Sequence, residues 1–103
     1  MTINADQLGR VIGDVRKRRG MTQHAVAQAA GLTVNYVSLL EHGQRAASLD
    51  ALNRLSKALN VPAEWFTFLA GSGPQRGTKL AELWQETKAA MLATIDAESS
   101  RSK

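Results

Sequence analysis

The side chains with the clearest chemical use lie close together between residues 33 and 39. Asn35 offers a hydrogen-bond donor and an acceptor side by side, Thr33 and Tyr36 add hydroxyl groups, and Val34 adds an apolar surface. This combination favours recognition of a partner over bond-breaking chemistry. The chain shows no nucleophile with a neighbouring base, no carboxylate pair in a plausible pocket and no glycine-rich phosphate loop after a strand. We therefore expect that the protein is not an enzyme.

A metal ion or another cofactor is not expected either. The sequence has no cysteine, and its two histidines, His24 and His42, are far apart, without a second histidine at helical ligand spacing. The lack of cysteine also excludes a disulfide framework and is compatible with a reducing compartment.

Length and composition indicate one small domain in a cytoplasmic protein. The 103 residues are 44% hydrophobic, and most apolar residues precede Gly71. The N-terminus lacks the charged-then-apolar pattern of a signal peptide, and no apolar run approaches the ~18 residues that span a bilayer. The net charge of +4 favours association with a polyanion without identifying it. We expect no membrane partner.

Two short helices that meet at a tight turn are predicted to position residues 33–39. Thr22 and Thr33 are expected to cap the first and second of these helices, because their hydroxyls can accept backbone N–H groups there. Gly31 lies between them, where glycine readily adopts the positive φ of a helix end. Both helices turn aliphatic side chains inward, at Val26, Ala27, Ala30, Val37 and Leu40.

Four further helices are predicted around this pair. One begins near Asp6 and ends by Gly20, another is capped by Ser48, a short one starts around Pro62, and a last one starts at Thr78. The apolar faces of the first three are expected at Leu8, Val11, Ile12 and Val15, then at Leu49, Leu52, Leu55 and Leu59, and then at Trp65, Phe66 and Leu69.

The glycines and proline of residues 71–77 divide the chain. We expect a compact domain at residues 1–71, a linker at 72–77, an amphipathic helix at 78–98 and a disordered tail at 99–103. The apolar side of the C-terminal helix needs apolar company, either on the protein's own bundle or on the same helix of a second subunit. We favour the second subunit, with dimerisation through Leu80, Leu83, Trp84, Met91 and Ile95.

With these elements in place, the chain resembles the phage-repressor and Cro-like helix-turn-helix family, also called the xenobiotic-response-element (XRE) family of bacterial regulators. The resemblance spans residues 8–71, about two thirds of the chain. It is carried by Met21-Thr22-Gln23, Ala27, Gly31, Val37, Leu40 and Glu41-His42-Gly43. It implies a five-helix Cro/repressor-like DNA-binding domain. With the C-terminal amphipathic helix predicted from spacing, we expect an all-α fold.

The docking geometry of this family places the second helix of the motif, the recognition helix, in the major groove of DNA. Asn35 can then pair with an adenine edge, and Val34 can pack on a thymine methyl group. Thr33 acts either as a cap alone or as a cap and a contact. Because the helix contains no arginine or lysine, an A·T-leaning half-site is expected.

The remaining DNA contacts are expected at phosphates. Gln23 resembles the family's phosphate-binding glutamine, beside Thr22 at a helix N-terminus that favours anions. Arg45, in the loop after the recognition helix, is a second candidate, or else a solvated loop charge. Three residues of the helix are weaker candidates: Tyr36 and Ser38 through their hydroxyls, and Leu39, which is apolar where the family often has a polar base-reading residue.

A basic run, Arg16-Lys17-Arg18-Arg19, ends the first helix. The last three residues are expected to attract phosphates electrostatically, to form a solvated helix end, or to do both. The resemblance implies a different role for Arg16, a structural ion pair with Glu41.

The resemblance implies a homodimeric repressor of transcription. Its two helix-turn-helix motifs would bind half-sites about 34 to 36 Å apart on a pseudo-palindromic operator in double-stranded DNA. Two alternatives remain: an activator that contacts RNA polymerase, and a protein-interaction module, such as an antitoxin or partner subunit, with secondary DNA binding.

Overall fold

The structure, a computed structural model, describes residues 4–101, and within them every regular element is an α-helix. In chain order the helices are α1 (Ala5–Arg18), α2 (Gln23–Ala30), α3 (Val34–Glu41), α4 (Leu49–Leu59), α5 (Ala63–Ala70) and α6 (Lys79–Arg101). The all-α architecture expected from the sequence is therefore confirmed. None of the described helices combines the length and apolar content needed to cross a lipid bilayer.

Local side-chain chemistry fixes the helix ends. Asn4 and Gln7 form a capping box at the start of α1, in which each side chain accepts a hydrogen bond from the backbone N–H of the other. Ser48 caps α4 as expected, with its hydroxyl accepting a hydrogen bond from Ala51 N at 3.0 Å. Asn60 ends α4 in the left-handed region, at φ 56°.

One hydrophobic core joins all six helices. α1 packs against α3 and α5, and α2 packs against α3 and α4. The fully buried aliphatic and aromatic side chains are Ile12, Val15, Val26, Val37, Leu40, Leu55, Leu59, Phe66 and Ile95. The prediction that Leu49 belongs to the apolar face of α4 is wrong. Leu49 directly follows the N-cap of α4, and it is 74% exposed.

The C-terminal half of α6 belongs to this core. Met91 and Ile95 are only 9% and 1% exposed and pack with the buried side chains of the other helices. The expectation that they form a dimer interface is therefore wrong, since both side chains are already covered within the chain. The helix also continues to Arg101, through residues 99–101 of the expected disordered tail, while residues 102–103 lie outside the described residues.

The N-terminal half of α6 is held by the segment that precedes it. Trp84 packs against Phe68 of α5 at 5.9 Å between ring centroids, and the Lys88 ammonium lies 4.3 Å from the Trp84 ring centroid. Gly73 lies so close to this ring that a methyl group there would be 2.5 Å from Cε3 of Trp84. Trp84 is thus placed mainly against its own chain, which leaves Leu80 and Leu83 as the exposed large apolar residues of the described part of α6, at 66% and 46%.

Candidate nucleic-acid interface

The turn between α2 and α3 has the geometry that the sequence predicts. The hydroxyl of Thr22 accepts a hydrogen bond from Ala25 N at 3.0 Å, and the hydroxyl of Thr33 accepts one from Tyr36 N at 3.0 Å. Gly31 adopts φ 70° and ψ 34°, a conformation that costs a residue with a Cβ free energy. Both predicted caps and the predicted glycine turn are therefore present.

The start of α3 presents an uncovered surface. Thr33, Val34 and Asn35 are exposed, whereas Val37 and Leu40 are buried beneath them. Within residues 4–101, no hydrogen bond engages the side-chain amide of Asn35, so its donor and its acceptor are both available to a partner. Exposed apolar and amide groups therefore lie side by side at the N-terminal end of this helix.

The other three candidate residues of α3, Tyr36, Ser38 and Leu39, are half-buried. Tyr36 packs against the hydrophobic core, and Ser38 lies one turn before His42. The Ser38 hydroxyl is 3.5 Å from His42 Nδ1, and the same ring nitrogen is 2.7 Å from the Ser38 carbonyl oxygen. Ser38 is thus directed toward the C-terminal end of α3, which makes it a weaker contact candidate than Tyr36.

The expected ion pair between α1 and α3 is present. The Arg16 guanidinium donates to both carboxylate oxygens of Glu41, at 2.7 and 3.0 Å, and donates a third hydrogen bond to the Met21 carbonyl at 2.8 Å. The two side chains are only 11% and 8% exposed. Gln23 joins the same pair, since its amide nitrogen donates to Glu41 Oε1 at 3.0 Å. The sequence did not indicate this third partner.

The environment of Glu41 keeps its carboxylate charged. Burial alone would raise the pKa of Glu41. The hydrogen bonds from Arg16 and Gln23, together with the positive charges of Arg16 and Lys17, outweigh burial and place the pKa of Glu41 below its ordinary value. The pair therefore remains ionised at neutral pH and ties α1 to the end of α3, while Gln23 ties the start of α2 to the same carboxylate.

Two glycines of α1 allow this close approach of α1 and α3. A methyl group on Gly9 would overlap the backbone carbonyl of Leu40, and one on Gly13 would lie 3.2 Å from Glu41 Oε1. Both residues are buried. Their spacing of four residues, which places both on one helix face, is the signal in the sequence that could have predicted this close packing.

Arg45 lies beside the recognition helix, in the loop after α3. Its Cζ atom is 5.2 Å from the centroid of the Tyr36 ring. Arg45 is exposed, and no acidic side chain among the described residues forms an ion pair with it. Its guanidinium N–H groups are therefore open to an external acceptor.

The basic run at the end of α1 divides into different roles. Arg18 bonds to Asp14 at 3.0 Å and to Asp96 of α6 at 2.7 Å. Arg19 donates to Leu59 O and Asn60 O, at 2.8 Å each, and also reaches Ile95 O, Ser99 and Glu98 on α6. The expectation that these two arginines attract phosphates is therefore wrong, since both join α6 to the rest of the domain. Lys17 remains exposed.

A capped helix, a turn at a left-handed glycine and a second capped helix with an uncovered start define a DNA-binding helix-turn-helix protein. Residues 12–66, just over half of the chain, match the family model HTH_3, described as helix-turn-helix, so the chain belongs to this XRE and Cro-like family. Its members are DNA-binding transcription regulators and not enzymes.

Named relatives have similar sequences. The HTH-type transcriptional regulator PrpR of Mycobacterium tuberculosis is 36% identical over 53 residues, which are 52% of this chain and only 11% of PrpR. The competence pilus inhibition repressor of Acinetobacter baylyi is 32% identical over 78 residues, covering 76% of this chain and 70% of the repressor. The transcriptional regulator ClgR of M. tuberculosis is 32% identical over 91 residues, covering 84% and 80%.

Two solved structures share the fold. The restriction-modification controller protein C.AhdI from Aeromonas hydrophila aligns with a TM-score of 0.57 and 30% identity, over 58% of this chain and 91% of that protein. The clp gene regulator ClgR from C. glutamicum aligns with a TM-score of 0.63 and 24% identity, over 68% and 91%.

Proposed function

We propose that this regulator reads a specific DNA sequence with the start of α3 in the major groove. The observation that carries the proposal is the exposed, unengaged amide of Asn35 beside the exposed side chain of Val34. An asparagine amide can pair with N6 and N7 of adenine, and a valine can pack on the methyl group of thymine. Thr33 adds a hydroxyl proton while its oxygen caps α3. This set favours A·T base pairs.

The phosphate contacts in this proposal flank the recognition helix on both sides. Gln23 begins α2, where the helix dipole and free N–H groups favour an anion, and its bond to Glu41 leaves one amide proton available. Thr22 lies next to it. Arg45 provides the contact on the other side of α3, with Tyr36 near it.

The regulator acts as a homodimer in this proposal. Two motifs related by a two-fold axis would contact half-sites about 34 to 36 Å apart on a pseudo-palindromic operator. Because Met91 and Ile95 are buried within the chain, the interface is assigned to Leu80 and Leu83, the exposed apolar residues at the start of α6.

Repression is the favoured direction of regulation. The support is the likeness to a named repressor, the competence pilus inhibition repressor, which this chain matches over 76% of its own length. A dimer bound across a promoter would block RNA polymerase without a dedicated polymerase contact. The site of action is then the cytoplasm, where the DNA of a bacterium lies.

Site selection from a random duplex library tests the DNA-reading proposal, because it gives the sequence, symmetry and spacing of the operator. On the selected operator, Asn35→Ala should weaken binding on the order of 10- to 100-fold and leave binding to a scrambled duplex unchanged. Gln23→Ala should weaken both. Asn53→Ala removes an exposed asparagine of α4 and serves as the control. Equal losses on both duplexes for Asn35→Ala would contradict base reading.

Sedimentation at micromolar concentration tests the dimer. The double substitution Leu80→Ser with Leu83→Ser should convert a dimer to a monomer, while Lys79→Ser with Glu82→Ser, on the same exposed turn, should not. Deletion of α6 is unsuitable because it would open the core. A dimer that survives the leucine substitutions would refute this interface. A monomeric native chain that needs Leu80 and Leu83 to hold another protein would favour the interaction-module alternative.

A further inference from the structure

The loop after α3 has a fixed beginning. Gln44 N donates to Leu39 O at 2.9 Å, and Gly43 N donates to Leu40 O at 3.1 Å, so the backbone remains bonded to the end of α3. Gly43 has φ 71° and lies so close to α1 that a methyl group there would be 2.9 Å from the Cα of Asp6. Arg45 therefore extends from a backbone that is held on two sides.

The Tyr36 ring is anchored in turn. Tyr36 packs against the hydrophobic core from the side of α3, one residue after Asn35. The Arg45 guanidinium lies 5.2 Å from the centroid of this ring, within the range of a cation–π contact. The position of the guanidinium relative to the base-reading residues of α3 is thus set by the core.

A guanidinium that lies against an aromatic ring uses its face and leaves its N–H groups directed outward. Those donors match the oxygens of a phosphate, and within residues 4–101 no carboxylate occupies them. An arginine side chain that is already ordered loses less conformational entropy when it binds. The Tyr36 ring can therefore strengthen a phosphate contact of Arg45 without contacting the phosphate itself.

We propose that Tyr36 is a positioning residue, whose ring holds the Arg45 guanidinium ready to bind a DNA phosphate beside the recognition helix. This inference rests on the proposed function, because it requires DNA binding by α3. It differs from our sequence-based expectation, in which the Tyr36 hydroxyl itself donated to a phosphate. The effect of Tyr36 is now exerted through Arg45.

A double-mutant cycle on one duplex tests this role by fluorescence anisotropy. Arg45→Ala should weaken binding and lower the slope of log K against log salt by about 0.9 for each bound subunit, as expected for one lost phosphate contact per subunit. Tyr36→Leu keeps an apolar side chain against the core and should weaken binding about 2- to 5-fold, the equivalent of an exposed cation–π contact. In the Arg45→Ala background, Tyr36→Leu should have no further effect.

Tyr36→Phe separates the ring from the hydroxyl. It retains the aromatic face, so binding should equal that of the native chain in both backgrounds. In the free protein, ring-current shifts of the Arg45 side-chain protons should persist in Tyr36→Phe and vanish in Tyr36→Leu, which reports the contact without DNA.

Two results would overturn the inference: a Tyr36→Phe loss as large as that of Tyr36→Leu, or equal Tyr36→Leu losses with and without Arg45. Failure of the native chain to bind any duplex would instead refute the proposed function.

Discussion

Two arginines three residues apart attach different parts of the molecule by different chemistry: Arg16 in the last turn of α1 and Arg19 at its C-cap. Arg16 forms a buried, bidentate ion pair with the Glu41 carboxylate and so holds the end of α3 against α1. Arg19 bonds mainly to neutral backbone carbonyls at the end of α4 and on α6, and its carboxylate partner within residues 4–101, Glu98, is half-exposed. The first attachment depends on a matched charge, and the second is spread over several weaker acceptors.

This difference predicts that the α1–α3 attachment is the more sensitive one. Arg16→Met should lower the free energy of unfolding by about 3 to 5 kcal/mol, because it leaves the Glu41 carboxylate buried without its counter-charge. Urea denaturation measures the loss. Arg10→Met breaks the exposed pair with Asp6 and should cost less than about 1 kcal/mol. Equal losses for the two variants would remove the distinction.

Arg19→Met should give a smaller loss, of about 1 to 3 kcal/mol, since several carbonyls lose a charged donor but can regain bonds to water. The loss should appear as faster amide hydrogen exchange in the C-terminal half of α6, around Ile95, while α2 and α3 stay protected. Arg76→Met, at an exposed position before α6, is the control. Uniformly faster exchange across all helices would show that Arg19 supports the whole fold and not α6 in particular.

The close approach of Gly73 to Trp84 predicts a smaller effect on stability still. Gly73→Ala introduces both a strained φ of 77° and a methyl group against the Trp84 ring, whereas Gly77→Ala introduces a similar strain, at φ 81°, in open space. We expect Gly73→Ala to be the more destabilising by about 1 kcal/mol or more. Thermal unfolding of both variants measures the difference. Identical melting temperatures would mean that the segment does not pack on Trp84 in solution.

Protonation of Glu41 should have the smallest effect on the free energy of unfolding near neutral pH. Because the pKa of Glu41 is lower in the folded chain than its ordinary value of 4.5, this group's contribution to stability is complete above pH 4.5 and is lost as the pH falls toward the folded pKa. The difference in stability between the native chain and Glu41→Gln should therefore be constant from pH 7 to 5 and shrink below pH 4.5. A difference that grows in acid would contradict the assigned direction.

The same contrast explains what the sequence could and could not predict. Thr22, Gly31 and Thr33 act within three or four residues of their own positions, so caps and the turn could be predicted from local spacing. The partners of Arg19 lie 40 to 80 residues away, and their backbone carbonyls leave no mark in the sequence. Arg16 and Glu41, 25 residues apart, were predicted only because the family resemblance implied the pair.

The other wrong predictions concern apolar residues, because the same spacing fits a residue of the core and a residue of a dimer interface. Met91 and Ile95 repeat at helical spacing with Leu80 and Leu83, and spacing alone assigns all four to one purpose. The fold separates them, because only the C-terminal half of α6 reaches the core. Leu49 is the opposite case: its spacing predicts a buried residue, but it lies beyond the end of the core and is exposed.

The burial of Met91 and Ile95 has a consequence for the order of events during synthesis. The ribosome makes α2 and α3 well before α6, yet the core that they share with the other helices also contains two side chains from α6, which packs on α1 and α5. The nascent chain therefore contains the whole helix-turn-helix motif while part of its interior is still open to water. The core is completed only after residue 95 has left the exit tunnel.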